Sequence, residues 1–238
     1  MKESKSRNNR KKNNAVSRVI TILLLVVFVF SAYKLITIFR AYKADSDKYS
    51  KVKKLAEKEI DWDELQKINP DIVGWIRLPD SNIDYPIVQG QDNDKYLHTL
   101  FDGSWGQAGC IFADANTADP FRQFNTVVYG HHMKDGTMFN NLKKFKDPEY
   151  AKSHPVFDLY TPDRNYKLEV VAFLNCPSDS EIYETNIDQQ KTKSFIDFVR
   201  KTAEYTTAVT MSENDRYVVL STCAYEYEGA RYVVIGKL

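Results

Sequence analysis

Residues 216–238 read RYVVLSTCAYEYEGARYVVIGKL, two runs rich in Val, Ile and Tyr around a polar connection. Such runs predict two strands joined by a loop. Side chains alternate along a strand, so Tyr217, Val219, Ser221 and Cys223 share one face. By the same rule Arg231, Val233 and Ile235 share one face of the partner. Antiparallel pairing with Cys223 opposite Arg231 brings their Cβ atoms to roughly 5 Å. The register is assumed, because the connection between the two residues is too long to dictate it. A guanidinium beside a thiol at a strand end favours the thiolate and marks a reactive site. The competing reading is a half-buried Cys packed as a small hydrophobe, with an exposed Arg beside it. These two residues alone favour the second reading, because free Cys is among the most buried residue types.

A reactive thiol needs a partner that trades protons near neutral pH, which is the usual task of His. The chain has four histidines: His98, His131, His132 and His154. His98 and His154 fall in helical or turn-like segments and are expected at the surface. His131 and His132 follow TVVYG at a strand end, ahead of the Asp135-Gly136 turn signal. Strand ends carrying loops are common places to display catalytic groups. Adjacent side chains point in opposite directions, so one of the two faces the thiol, and spacing does not say which.

Composition narrows the class. The 238 residues are 43% apolar and 27% charged, as in ordinary globular proteins, and the net charge of +1 argues against a nucleic-acid binder. The three cysteines, Cys110, Cys176 and Cys223, match no zinc spacing, and no metal site is expected. Whether Cys110 pairs with Cys176 is open at this level.

Residues 1–18 are polar and basic and read as a disordered tail. From Val19 the chain is apolar to Tyr33 and again, past Lys34, to Phe39. That length suits the ~20 residues needed to cross a bilayer, and no small-x-small cleavage site follows. Residues 19–39 therefore read as an uncleaved transmembrane anchor. Basic residues flank both ends, so the charge rule favours a cytoplasmic N-terminus only weakly. Residues 40–60 read as a charged juxtamembrane helical stalk, and 61–238 as one domain. Asp61 and Glu64 form a candidate capping box for a short helix. Short strands are expected from Val73 onward, with helices over Thr137–Phe145 and Gln189–Tyr205. The fold class is mainly β, a mixed or antiparallel barrel with peripheral helices.

Three motifs, VLSTC at 219–223, ARYVV at 230–234 and YGHHMKDGTMF at 129–139, resemble the sortases, membrane-anchored cysteine transpeptidases. The His motif and the closing hairpin look most like class B. So do the N-terminal helical segment 40–68 and a helix-bearing insertion at 178–206. The resemblance implies a closed β-barrel of sortase type, preceded by N-terminal helices and a single transmembrane helix. It implies Cys223 as nucleophile, His131 as acid/base and Arg231 as the cation for the oxyanion or substrate. Val219 departs from the Thr usual in the family motif, at a position before the chemistry. Ser221 and Thr222 are expected beside the thiol, and Leu97, Ile182 and Tyr183 as further groove walls or as core.

The implied reaction cleaves a C-terminal sorting motif after Thr in secreted surface proteins. A thioester acyl-enzyme then passes the protein to a cell-wall or pilin amine. No cofactor is implied, and the domain is expected outside the cell membrane. Two alternatives stand beside this reading: a membrane-anchored cysteine peptidase that hydrolyses the same kind of peptide, and a non-catalytic surface-binding module.

Overall fold

The computed structural model describes residues 17–238 in full and the backbone of 2–16. The reading of residues 1–18 as a disordered tail falls almost entirely outside the fully described residues. The chain divides into two units between Ala44 and Asp45. Helix α1, Lys2–Lys54, runs through both. In the first unit its apolar side chains from Val19 to Phe39 are uncovered by protein. From Ser17 onward the helix is long and apolar enough to cross a membrane. In the second unit the last turns of α1 are part of the folded domain. Asp45, Tyr49 and Val52 are buried, and the Tyr49 hydroxyl donates to the Gly109 carbonyl at 2.5 Å. The segment expected as a stalk is thus partly packed on the domain.

Half of the capping box is present: Asp61 accepts from the Glu64 N–H at 3.1 Å and starts α2, Trp62–Ile68, while the Asp61 N–H donates to the Leu55 carbonyl and the Glu64 carboxylate pairs with Lys67 instead. The strands follow as β1 Ile72–Arg77, β2 Asp84–Val88, β3 Ile111–Ala113 and β4 Asn125–Tyr129. After the short helix α3, Pro148–Ser153, come β5 Val156–Tyr160 and the long β6 Asn165–Pro177. Helix α4, Thr192–Thr202, precedes β7 Tyr205–Thr206, β8 Tyr217–Cys223 and β9 Ala230–Lys237. Strand order is β5-β1-β2-β3-β4-β8-β9-β6-β7, and β5 also pairs with β6. That last pairing closes eight strands into a barrel and leaves β7 as a short appendage on β6. Closure removes the open sheet edges that would otherwise invite association.

Most pairs are antiparallel, but β2–β3 and β4–β8 are parallel. One face of β8 and β9 is covered from outside by the segment between β6 and β7. There Tyr217, Val219, Val233 and Ile235 pack with Ile182, Phe195, Ile196 and Val199 in a single buried cluster. The alternate residues Val218, Leu220 and Val234 are fully buried on the opposite, barrel-facing side. Burial on both faces leaves no polar side to either strand.

The helix expected over Thr137–Phe145 is instead a 3-10 helix from Phe139 to Lys146. The start is delayed because Asp135 captures the N–H and hydroxyl of Thr137, and Met138 adopts a positive φ of 54°. The helix expected over Gln189–Tyr205 is shorter at both ends, as α4.

Gly130, which follows β4, lies in a tight space. A Cβ there would stand 2.4 Å from Ile111 Cδ1 and 2.7 Å from Phe139 Cδ2. Gly130→Ala is therefore expected to cost about 1–3 kcal/mol through overpacking. Urea denaturation of the detergent-solubilised full chain measures this, and an unchanged midpoint would contradict it.

Candidate active site

β8 and β9 pair in the register that sets Cys223 opposite Arg231. Both side chains lie on the face that the 178–206 insertion covers further along the strands. The cover ends before the strand tips, and a cleft of about 280 Å³ opens there. Cys223, Arg231, His131, Ser221 and Thr222 line it, with Leu97 and Tyr183 among its walls.

The parallel pairing of β4 with β8 explains how His131 arrives. Tyr129 is in register with Ser221, and the Gly130 N–H donates to the Ser221 carbonyl at 3.1 Å. His131 and Cys223 each lie two residues beyond that matched pair, at the same end of neighbouring strands. His131 Nε2 lies 2.8 Å from the Leu97 carbonyl. A carbonyl only accepts, so Nε2 carries the proton and Nδ1 is the basic nitrogen of the neutral ring.

His132 points the other way, as alternation requires. Its Nδ1 donates to the Cys223 carbonyl at 2.7 Å, and its ring packs near Tyr225 and Tyr232. It therefore ties the His loop to the end of β8 without lining the cleft. Spacing left the two histidines unresolved, the family resemblance pointed to His131, and neither anticipated this tether.

The other expected wall residues divide. Tyr183 lines the cleft and shares a hydrogen bond of 2.9 Å with Ser221 Oγ. Ile182, its neighbour, is fully buried in the core cluster beneath and does not reach the cleft. Thr222 is 2% exposed, and its Oγ1 finds no hydrogen-bond partner among the described residues. Asn93 and Tyr129, which sequence reasoning missed, complete one wall. Both bond to Asp114 Oδ2, at 3.0 and 2.9 Å, and this buried carboxylate holds them in place. His98, expected at the surface, is exposed, yet its ring stacks on His131 with centroids 5.8 Å apart. Only the fold reveals that contact.

Burial separates the three thiols, all of which are free. Burial pushes Cys110 up to about 12, beside the Tyr49 hydroxyl. Burial also raises Cys176, against the pull of the Arg231 charge. Burial likewise raises the Tyr129 and Tyr183 phenols, with Arg231 again opposing, so the guanidinium field reaches both walls. Cys223 is the half-buried thiol of the cleft. Among the described residues no cluster of His, Cys, Asp and Glu is placed to hold a metal ion.

The sortase domain model matches residues 76–238. Sortase B of Listeria monocytogenes is 36% identical over 94% of this chain and 96% of its own length. The crystal structure of sortase B from Bacillus anthracis superposes with a TM-score of 0.77 at 34% identity, covering 84% of this chain and 98% of that one. A Staphylococcus aureus sortase B–substrate complex has a TM-score of 0.69 at 28% identity, covering 83% and 94%. The chain belongs to the sortase family of cysteine transpeptidases, and within it to class B.

Proposed function

We propose that this protein cleaves a C-terminal sorting motif after Thr in secreted surface proteins and transfers them to an amine of the cell wall. The observation that carries the proposal is the convergence of Cys223, His131 and Arg231 on one cleft, from three strand ends. In the first half-reaction the Cys223 thiolate attacks the carbonyl carbon that follows Thr. Arg231 donates hydrogen bonds to the developing oxyanion, and its Nη1–H to the Ala230 carbonyl at 2.9 Å steadies the guanidinium. The C–N bond breaks as the His131 imidazolium gives its proton to the departing amine. The product is a thioester on Cys223. An acceptor amine then attacks, His131 takes its proton, and the thiolate leaves as a new amide forms.

The apolar helix from Ser17 supports a single-pass anchor, with the tail inside and the domain outside the cell membrane. Leu97, Tyr183, Ser221 and Thr222 act as walls for the sorting peptide. The S. aureus relative, solved with a substrate, supports a peptide in this cleft. A peptide library varied around a Pro-x-Thr core, offered with and without an amine, tests the reading. Transfer to the amine separates a transpeptidase from a cysteine peptidase, which gives only hydrolysis.

Cys223→Ala is expected to abolish turnover and leave the urea midpoint essentially unchanged. In the unsubstituted protein iodoacetamide at pH 8 should label Cys223 before the buried Cys110 and Cys176. Residual transfer in the Ala variant, or first labelling elsewhere, would refute the assignment. His131→Ala should lower kcat/KM by several orders of magnitude, and His132→Ala by less than about tenfold, since His132 points away from the cleft. Steady-state rates with the reverse ranking would reassign the base.

Arg231→Lys keeps the charge and loses the planar fork of donors. Loss of one oxyanion donor costs about 10²–10³ in rate, so kcat/KM should fall on the order of 10²-fold. The pH profile of Cys223 alkylation should move little. A large shift of that profile with nearly normal turnover would make Arg231 a tuner of the thiol instead.

A further inference from the structure

Beyond the cleft, a stack of rings leads outward from His131. His98 lies on His131 at 5.8 Å with an interplanar angle of 22°, and Trp105 lies on His98 at 6.1 Å and 30°. The Trp105 turn is held at both ends. Thr99 and Trp105 bridge, the Gly106 N–H donates to the His98 carbonyl at 2.9 Å, and the Leu100 N–H donates to Ser104 O at 2.8 Å. Lys48 clamps the tip through Asp102 at 3.2 Å and through the Ser104 hydroxyl.

Despite this rigid setting, Trp105 is 69% exposed. Outside α1 only Tyr225, at 72%, is a more exposed large apolar side chain among the described residues. An indole held open on a fixed turn keeps its apolar surface for a binding partner, and Trp is enriched where binding energy concentrates.

The reaction says which partner. On the acyl-transfer reading above, His131 protonates the departing amine and deprotonates the incoming one. By microscopic reversibility both amines approach the same nitrogen from the same side. The thioester holds the acyl chain on the Cys223 side of that nitrogen. The chain bearing the amine must therefore leave past His131, and the rings beyond it are His98 and then Trp105. Three extended residues span roughly 10 Å, comparable to two ring spacings. We infer that His98 and Trp105 form the subsite for the peptide bearing the acceptor amine, with the Trp105 indole as the platform for its second and third residues. The inference rests on the acyl-transfer reading.

The test uses the detergent-solubilised full chain, the best-cleaved peptide of the library, and two acceptors, trialanine and hydroxylamine. Only trialanine is long enough to reach the indole. Trp105→Ala should lower the ratio of trialanine transfer to hydrolysis about tenfold, and leave the hydroxylamine ratio unchanged. Trp105→Phe, which keeps an aromatic face, should restore most of the loss. The subsite is overturned if neither ratio moves, or if both fall together, which would mean that the substitution disturbs His131 itself. Mass spectrometry of the unsubstituted protein distinguishes the two failures. With no acyl-enzyme on Cys223 the acyl-transfer reading falls and the subsite with it, whereas a trapped acyl-enzyme with an unmoved trialanine ratio removes the subsite alone.

Discussion

The register between β8 and β9 is the constraint on which the site depends. Cys223 opposes Arg231 only in that register, and a slip of one residue would turn one of the two into the barrel. The loop between the strands is too long to set the pairing, so burial must do it. Tyr217, Val219, Val233 and Ile235 fit under α4, while Val218, Leu220 and Val234 fill the inner side. A slip of one residue along β9 would put Arg231 at the level of Ala230 or Tyr232, on the barrel-facing side of the strand, and so turn a charge away from the cleft. The charged and nucleophilic groups can sit at the tips because the apolar residues behind them hold the frame.

The parallel pairing of β4 and β8 adds the histidine. Parallel neighbours present their C-terminal ends at one rim, where loops can carry polar groups out of the core. Here the matched Tyr129–Ser221 pair sets the level, Gly130 passes the crowded point between Ile111 and Phe139, and His131 emerges into the cleft. His132 then anchors the departing loop to the Cys223 carbonyl. One dipeptide thus lines the cleft with its first ring and ties down the loop with its second.

Much of this was legible in the chain because it depends on short-range pattern. Alternation in residues 216–238 yields the hairpin and its faces, the apolar run from Val19 yields the candidate span, and Asp61 with Glu64 yields the start of α2. The pairings that close the barrel, β5 with β6, and that deliver His131, β4 with β8, join segments far apart in sequence. Nothing local encodes them. The same limit hid His98, whose approach to His131 depends on the loop after β2. It also hid Asp114, whose carboxylate holds Asn93 and Tyr129 from beneath. Ile182 and Tyr183 show the limit within one dipeptide, since an apolar residue beside a groove and one in the core look alike until the cover of the sheet is known.

Arg231 poses a final question, because two thiols flank it. It pairs with Cys223 on β8 and with Cys176 on β6, and in-register neighbours point to the same side of a sheet. Proximity to the guanidinium therefore does not distinguish them. Access does. Cys176 belongs to the buried cluster under the insertion, where loss of solvent disfavours its thiolate more than the Arg231 charge favours it. Cys223 stands on the other side of β9, past the end of that cover, and lines the open cleft with His131. A single cation serves a sheet face on which burial alone decides which sulfur is available. The edge of the insertion, more than the charge, thus sets the position of the proposed nucleophile.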